Sequence, residues 1–366
     1  MSQRKLLMIP GPIEFDPAVL EQMGLPTLSH VAPAFIESFG NALDMMKQVW
    51  MAPNGQPFVV AGSGTLAMDM AACNLVEVGD KVLVISTGYF GERYVNLLKR
   101  YGAKVTILEA EIGETISMER IESELSSNQY KLMTVTHVDT STGVLVNPQP
   151  IATLAKEHGV LTILDGICSV AGEEIRQEEW GIDVVITASQ KAIGVPPGLA
   201  LMVASENAMN TWNNRKTPVA NYYSDWGNWL PIMQAYSERR PSYFATPPVN
   251  LIMALEKSLE MILSEGMDAR FEKHRKLATK FRKSIQELGM KFIPTSEDNC
   301  ANTLSATYFP EEIDGGDFLK NVSENGVIIA GGLLPALKTK YFRVGHMGIV
   351  TEAQIDKTVA AIKASL

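Results

Sequence analysis

Short apolar runs recur along the first two-thirds of the chain, and this rhythm constrains the fold more than any other feature. Most runs are rich in β-branched residues and bounded by Gly, Asp or Ser; they cover residues 58–61, 82–85, 105–108, 132–135, 161–164 and 184–186. Strands that are buried on both faces have this composition. Segments with helical spacing lie between several runs, at residues 65–76, 92–101, 118–125 and 150–158. Strand and helix in alternation predict a parallel sheet with right-handed crossovers.

The rhythm changes after about residue 205. Residues 210–248 contain three tryptophans and four tyrosines with little periodicity. This composition indicates a long ordered segment outside the alternation of strands and helices. Helical patterns follow at 249–263 and, after Gly266, at 267–288, then strand patterns at 304–308 and 326–329. We therefore predict an α/β protein whose large domain has a mostly parallel sheet flanked by helices, followed by a smaller C-terminal α+β domain. The predicted boundaries are an N-terminal segment at 1–20, the large domain at 21–263 and the small domain at 264–366.

Composition narrows the possible partners and location. The net charge of −9 argues against binding to nucleic acid or an anionic membrane. No apolar run approaches the ~20 residues that would cross a bilayer. The first ten residues lack a small-residue cleavage site, and the chain ends in Ala-Ser-Leu rather than the peroxisomal Ser-Lys-Leu. Three sparse cysteines suit a reducing compartment, so we expect a cytoplasmic protein.

Asp165 is the first candidate site residue. It follows the apolar run 161–164, and open α/β sheets place their ligand crevice at this end of a strand. A carboxylate in that position is partly desolvated and needs a compensating partner. A helix cap or a turn residue is the alternative interpretation.

Lys191 is the second candidate. It follows the run 184–186, stands between small residues and precedes a Gly-Val-Pro-Pro-Gly stretch. Most lysines are solvated surface groups, but desolvation would lower the pKa of this amine and make it a nucleophile toward an aldehyde. One strand separates it from Asp165, so both would reach the same crevice.

The third element is the stretch Ala61-Gly62-Ser63-Gly64-Thr65-Leu66, between a strand pattern and a helix pattern. Gly and small hydroxyl residues at a helix start leave backbone N–H groups free to hold a phosphate. Such turns are also common without a ligand. Together, a phosphate cradle, a crevice carboxylate and a desolvated lysine describe a site for pyridoxal 5'-phosphate.

With these residues assigned, the chain resembles the alanine–glyoxylate and serine–pyruvate aminotransferases of the class V, fold type I group, and within them the fungal-type alanine–glyoxylate enzymes. The resemblance runs nearly end to end, through Pro10-Gly11-Pro12, Ser63-Gly64, residues 141–145, Asp165, residues 189–192, Tyr243 with Thr246, and residues 342–345. It implies transamination between alanine or serine and glyoxylate or pyruvate, in two half-reactions through a pyridoxamine phosphate form.

The resemblance also implies roles for individual residues. Lys191 would carry the cofactor and shuttle the substrate α-proton, while Asp165 would keep the pyridine nitrogen protonated. Phe90 falls where the animal enzymes carry a stacked tryptophan, and it still offers a flat apolar face. Thr140 would approach the cofactor ring. The phosphate would be held by Ser63, Gly64, Thr65 and Gln190.

Two further implications concern the substrate and a second subunit. Arg343 and Gly11 would bind substrate, and the rigid fork of an arginine suits a carboxylate. A surface ion pair is the alternative for Arg343. Tyr243 and Thr246 would reach the phosphate of a neighbouring subunit, which implies a homodimer with shared sites.

Other features have simpler interpretations. His137 is expected to be a core histidine, and the five scattered histidines offer no metal constellation. The charged stretch from Arg270 to Lys283 is expected to be an exposed helix face. Two other functions stay open. One is a pyridoxal-phosphate lyase of the same fold, such as a cysteine desulfurase. Such enzymes resemble this chain but have His, not Gln190, before the lysine and a nucleophilic cysteine on a late mobile loop, whereas Cys300 lacks the Ser-Gly-rich surroundings of such a loop. The other is a non-catalytic relative.

Overall fold

The structure, a computed structural model, describes residues 4–366, so the first three residues of the predicted N-terminal segment lie outside the described residues. Its strands are β1 Leu6–Leu7, β2 Gln56–Ala61, β3 Lys81–Ser86, β4 Lys104–Glu109, β5 Leu132–Thr136, β6 Leu161–Asp165, β7 Val184–Ala188, β8 Leu199–Ala204, β9 Leu304–Tyr308, β10 Val327–Ile328, β11 Ala330–Gly331 and β12 Tyr341–Gly345. Its α-helices are α1 Pro17–Gly24, α2 Pro33–Val49, α3 Gly64–Leu75, α4 Tyr89–Arg100, α5 Met118–Ser127, α6 Pro148–Glu157, α7 Glu206–Asn213, α8 Trp226–Ser237, α9 Val249–Glu265, α10 Met267–Glu287, α11 Gly315–Glu324 and α12 Glu352–Lys363.

Seven strands form the central sheet, in the order β2-β8-β7-β6-β5-β3-β4. Strands β3 to β7 pair in parallel, whereas β8 pairs antiparallel with both β2 and β7. Every residue of β5, β6, β7 and β8 is buried, as expected for strands covered by helices on both faces. The prediction of a mostly parallel sheet flanked by helices is confirmed.

A smaller sheet lies in the C-terminal part of the chain. Strands β11, β12 and β9 pair antiparallel, and a second apolar core contains Phe281, Phe318 and Phe342. Strand β1 pairs in parallel with β10, so the chain start joins this region rather than the large sheet. The predicted domain boundary at 263 stays a prediction.

Several local predictions were wrong. Strand β8 was not predicted, because its run follows a Pro-Pro-Gly turn and contains a single β-branched residue. Strand β4 is an edge strand with exposed residues rather than a strand buried on both faces, because nothing pairs with its outer side. The segment 210–248, predicted to have little regular structure, contains helix α8. This helix has Pro231 in its interior, and packing of Trp226 and Trp229 into the core stabilises it.

Helix α10 also differs from the expected exposed face. Arg270, His274 and Arg282 are buried on it. Arg270 donates to the carbonyl oxygens of Ala171 at 2.7 Å and Ala192 at 2.8 Å. The charged composition of this stretch does not predict such burial. A long polar side chain can be buried when backbone carbonyl groups from other parts of the chain accept its hydrogen bonds.

The helices of residues 4–366 include none that is long and apolar enough to cross a membrane. The same residues contain no group of three or more His, Cys, Asp or Glu side chains arranged to hold a metal ion. All three cysteines are buried free thiols.

Candidate active site

A cavity of about 200 Å³ lies at the carboxyl edge of the central sheet. Nine of the twelve predicted site residues line it: Gly11, Ser63, Gly64, Thr65, Phe90, Thr140, Asp165, Gln190 and Lys191. They meet because the strands β2, β3, β5, β6 and β7 run in one direction, and the chain segment after each strand contributes to the same edge.

Asp165 is the last residue of β6 and is buried. Its Oδ1 accepts a 3.0 Å hydrogen bond from the backbone N–H of Ile167. The pKa of Asp165 is raised to about 7, mainly by burial and also by the negative charge of Asp139, against the lowering effects of the Ile167 N–H and of Lys191. A cationic group placed against this carboxylate would favour its ionised form.

Lys191 follows β7 and extends toward the start of the chain. Its Nζ donates to the carbonyl oxygen of Pro10. A Cβ at Gly11 would lie 2.7 Å from Cδ and 2.9 Å from Nζ of Lys191, so a side chain there would collide with the lysine. Burial and the positive charge of Arg343 lower the pKa of Lys191, whereas Asp165 raises it. The lowered pKa makes the amine available as a nucleophile.

The start of α3 forms one end of the cavity. Ser63 occupies the N-cap, but its side chain makes no capping hydrogen bond, so the first N–H groups of the helix are not capped by it. Gln190 also lines this cavity, and its buried Oε1 has no hydrogen-bond partner among the described residues. Uncapped N–H groups at a helix start fit an anionic group such as phosphate, and the Gln190 side-chain NH₂ is a further donor on the lining of the same cavity.

Apolar walls complete the cavity. Phe90 stands in the first turn of α4, and Ile167 follows Asp165. The Cδ1 atom of Ile167 would lie 2.7 Å from a Cβ at Gly64, so the glycine leaves room for this side chain. A flat ring, a buried carboxylate, a primary amine and an uncapped helix start together fit pyridoxal 5'-phosphate.

Arg343 does not line this cavity but lies beside it, on β12. Its Nε donates to the carbonyl oxygen of Gly331 at 2.9 Å and its Nη1 to that of Thr140 at 3.2 Å. Burial lowers its pKa. The side chain thus spans from the small sheet to the loop after β5.

Tyr243 and Thr246 also lie away from the cavity of their own chain. Tyr243 is 62% exposed, and its hydroxyl is 3.4 Å from Oγ1 of Thr246. Tyr222, which precedes α8, is 79% exposed and packs edge-on against Phe244, the residue after Tyr243. A role for these residues in the site depends on a second subunit and stays a prediction.

Five further residues line the cavity that the sequence did not predict there: Met68, Arg93, Val138, Ile167 and Cys168. Each follows a predicted site residue by two or three positions, or precedes one by two, so their proximity in sequence was the available signal. Arg93 had the clearest signal, because a residue three positions after Phe90 lies on the same face of a helix.

Two interpretations concern single side chains. His137 is a buried core histidine, as expected, with Nδ1 2.9 Å from Oγ of Ser169.

Cys300 is buried, its Sγ donates to the carbonyl oxygen of Ser296, and burial raises the pKa of its thiol to about 11. A nucleophilic cysteine needs a depressed pKa and access to the cofactor. The lyase interpretation therefore has no support at Cys300.

Comparisons of the sequence and the fold with known proteins all find aminotransferases. The family described as aminotransferase class-V matches residues 22–357. Alanine–glyoxylate aminotransferase 1 of Saccharomyces cerevisiae is 40% identical over 357 residues, which are 94% of this chain and 92% of that protein. L-aspartate–glyoxylate aminotransferase of Paracoccus denitrificans is 30% identical over 365 residues, 98% of this chain and 90% of that protein. The crystal structure of alanine–glyoxylate aminotransferase from Nostoc sp. has a TM-score of 0.93 at 30% identity, covering 100% of this chain and 96% of that chain.

Proposed function

The chain belongs to the class-V aminotransferase family, and from that premise we propose that it transfers the amino group of a small amino acid to glyoxylate with pyridoxal 5'-phosphate as cofactor. One observation carries the proposal: Lys191 and Asp165, from neighbouring strands, line the same cavity together with the start of α3. A nucleophilic amine, an acidic partner and a phosphate cradle are the three parts that this chemistry requires.

The choice of acceptor rests on the relatives. The names of the yeast, Paracoccus and Nostoc proteins share glyoxylate, whereas the amino donor is alanine in two and aspartate in one. We therefore propose glyoxylate as acceptor. Alanine or serine is the proposed donor, since the residues predicted to bind substrate include a single cation, Arg343, for one carboxylate.

The family implies pyridoxal phosphate, and the cavity residues would hold it at three points. Lys191 would attach it covalently, Asp165 would lie against its ring nitrogen, and the N–H groups at the start of α3 would bind its phosphate. When bound, the cofactor supplies an aldehyde that takes up the amino group and a ring that accepts electrons from the substrate α-carbon.

The protein's own residues would supply orientation and proton transfer. The Lys191 amine, with its lowered pKa, can accept the α-proton of the amino donor and, in the opposite half-reaction, supply a proton to the α-carbon of the new amino acid. When its carboxylate is ionised, Asp165 would stabilise a positive charge on the ring nitrogen placed against it. The two-pronged guanidinium of Arg343 can bind the carboxylate that amino and keto acids share. Phe90 and Ile167 exclude water on the apolar walls.

We also propose that the working form is a homodimer. Tyr222 and Tyr243 are large exposed aromatic side chains, and exposed apolar surface of this kind is typical of association sites. In a dimer, Tyr243 and Thr246 of one subunit would complete the phosphate site of the other.

The function can be tested with a panel of amino donors. Alanine or serine should bleach the visible absorption of the protein-bound cofactor, and glyoxylate should restore it. Aspartate should bleach it more slowly at equal concentration. A donor that bleaches the cofactor irreversibly, with no recovery on adding any keto acid, would contradict transamination.

The shared site has its own test. Lys191→Ala and Tyr243→Ala would each be inactive or weak alone, but a mixture refolded or exchanged together should recover about a quarter of the wild-type activity, because each mixed dimer contains one intact site. A mixture no more active than its components would rule out sharing of Tyr243 between subunits.

A further inference from the structure

Arg93 is a cavity residue to which the proposed function assigns no role. It lies on α4, one turn after Phe90, and lines the cavity together with Thr65 and Gly64. Its Nη1 donates to Oγ1 of Thr65 at 3.2 Å. The guanidinium is therefore directed from α4 toward the start of α3.

Two aromatic rings hold the guanidinium in place. Its Cζ lies 5.4 Å from the centroid of Phe90 and 5.6 Å from that of Tyr89. Cation–π contacts at these distances stabilise one orientation of a long side chain. Among residues 4–366, no carboxylate lies within ion-pair distance of Arg93. The positive charge therefore faces the cavity without a direct ion pair, although it is close enough to lower the pKa of Asp165 on the same cavity lining.

The proposed phosphate site lacks such a charge. The residues assigned to it, Ser63, Gly64, Thr65 and Gln190, are all neutral. The other cation that lines the cavity, Lys191, would be consumed as the attachment point of the cofactor. Backbone N–H groups bind phosphate, but a dianion in a partly buried site is stabilised further by a nearby guanidinium.

We infer that Arg93 is a cofactor-binding residue, whose guanidinium binds the phosphate group beside Thr65. This inference rests on the proposed function and deepens it. It assigns two kinds of contact to one side chain: the observed contacts with the rings of Phe90 and Tyr89, and a hydrogen bond from its N–H groups to the phosphate.

A purely structural role for Arg93 makes a different prediction. If the guanidinium only supported the Phe90 ring, its loss would weaken every ligand that packs on that ring. If it binds phosphate, its loss would weaken only ligands that carry a phosphate. Pyridoxal, which has the same ring and aldehyde as the cofactor but no phosphate, separates these roles.

The experiment measures the dissociation constants of pyridoxal phosphate and of pyridoxal for the cofactor-free full-length protein, by the absorbance change on binding. Arg93→Gln should weaken pyridoxal phosphate binding about tenfold to hundredfold. It should change pyridoxal binding by less than about threefold. Arg93→Lys, which keeps the charge, should recover part of the loss. Arg100→Gln, an exposed arginine on the same helix, is the matched control and should change neither constant.

Equal weakening of both ligands by Arg93→Gln would overturn the inference, and so would no weakening of either. Failure of the proposed function would look different, because the wild-type protein would then bind neither compound. High phosphate concentration gives a second readout: it should compete with pyridoxal phosphate in the wild type more strongly than in Arg93→Gln. Equal competition in the two proteins would also overturn the inference.

Discussion

The backbone N–H of Phe90 donates a 2.9 Å hydrogen bond to Oδ2 of Asp139, so a buried carboxylate holds the helix turn that carries the aromatic wall of the cavity. Oδ1 of the same carboxylate accepts from the backbone N–H of Ser141 at 2.9 Å. Asp139 therefore links the start of α4 to the loop that contains Thr140. Burial raises the pKa of Asp139, while these hydrogen bonds lower it.

Asp139→Asn should destabilise the protein and misplace Phe90. An amide keeps the shape, but its NH₂ group would face backbone N–H donors that now lack an acceptor. The loss of one charged hydrogen bond should lower the free energy of unfolding by about 2 kcal/mol, measured by urea denaturation. Asp314→Asn, at the exposed N-cap of α11, should cost no more than about 0.5 kcal/mol. A cost for Asp139→Asn no larger than that of the control would contradict the linking role.

Lys191→Ala should abolish transamination while the fold persists. The amine is both the proposed attachment point and the proton carrier, so kcat should fall at least about a thousandfold. Stopped-flow assays with alanine and glyoxylate measure this loss, and circular dichroism checks the fold. Lys363→Ala, at the exposed end of α12, should keep wild-type activity. Residual activity within tenfold of wild type would refute the assignment.

Arg343→Lys should raise KM about tenfold or more for both the amino donor and the keto acid, because lysine cannot bind a carboxylate with two parallel hydrogen bonds. Both substrates carry that group, so both constants should rise together. Steady-state kinetics over a range of each substrate measures them. An effect confined to kcat would indicate that Arg343 positions the loop of Thr140 instead.

Gly11→Ala should lower activity because the new Cβ displaces the end of the Lys191 side chain from its position in the cavity. The glycine has φ +116°, and its new Cβ would lie 2.7 Å from Cδ of the lysine. Gly79→Ala separates collision from backbone strain, since Gly79 has φ +91° with no heavy atom within 4 Å of a Cβ. Both variants should lose about 1 kcal/mol of stability from the positive φ, and only Gly11→Ala should lose cofactor attachment to Lys191. Equal activity in the two variants would contradict this.

Glu173→Gln should flatten the pH dependence of stability. Glu173 is buried, and burial raises its pKa from 4.5 to about 7, although Asn302 donates to it. Because the folded protein holds this proton more tightly than the unfolded chain, the stabilisation is full below pH 4.5 and is lost as pH rises through 7. Between pH 4.5 and 8 the difference in unfolding free energy between wild type and variant should change by up to about 3 kcal/mol.

Urea denaturation at several pH values measures that difference, with the exposed Glu157→Gln as control. The wild type should lose stability relative to Glu173→Gln as the pH increases. Parallel pH profiles for the two proteins would show that the carboxyl at 173 does not retain its proton in the folded state.

The sequence alone determined the layered fold, because strands buried on both faces need uninterrupted apolar runs and the intervening helices need one apolar side. It also placed Asp165 and Lys191 together, since residues that follow neighbouring parallel strands meet at one edge of the sheet. Strand β8 was not predicted, because its apolar run follows a Pro-Pro-Gly turn and contains a single β-branched residue; its place between β2 and β7 is set by antiparallel pairing with both.

Tertiary structure alone decided which side chains from other elements turn toward the cavity. Arg93 reaches Thr65 and Arg270 reaches Ala192 across long stretches of chain, and no periodicity within one helix encodes such a partner. A charged residue in a helix is exposed by default, and it becomes a buried or site-directed group only when packing places a fixed acceptor or ring beside it. The spacing of apolar residues along the chain determines which segments become helices or strands. The contacts of Arg93 and Arg270 depend instead on how separate helices and loops pack together.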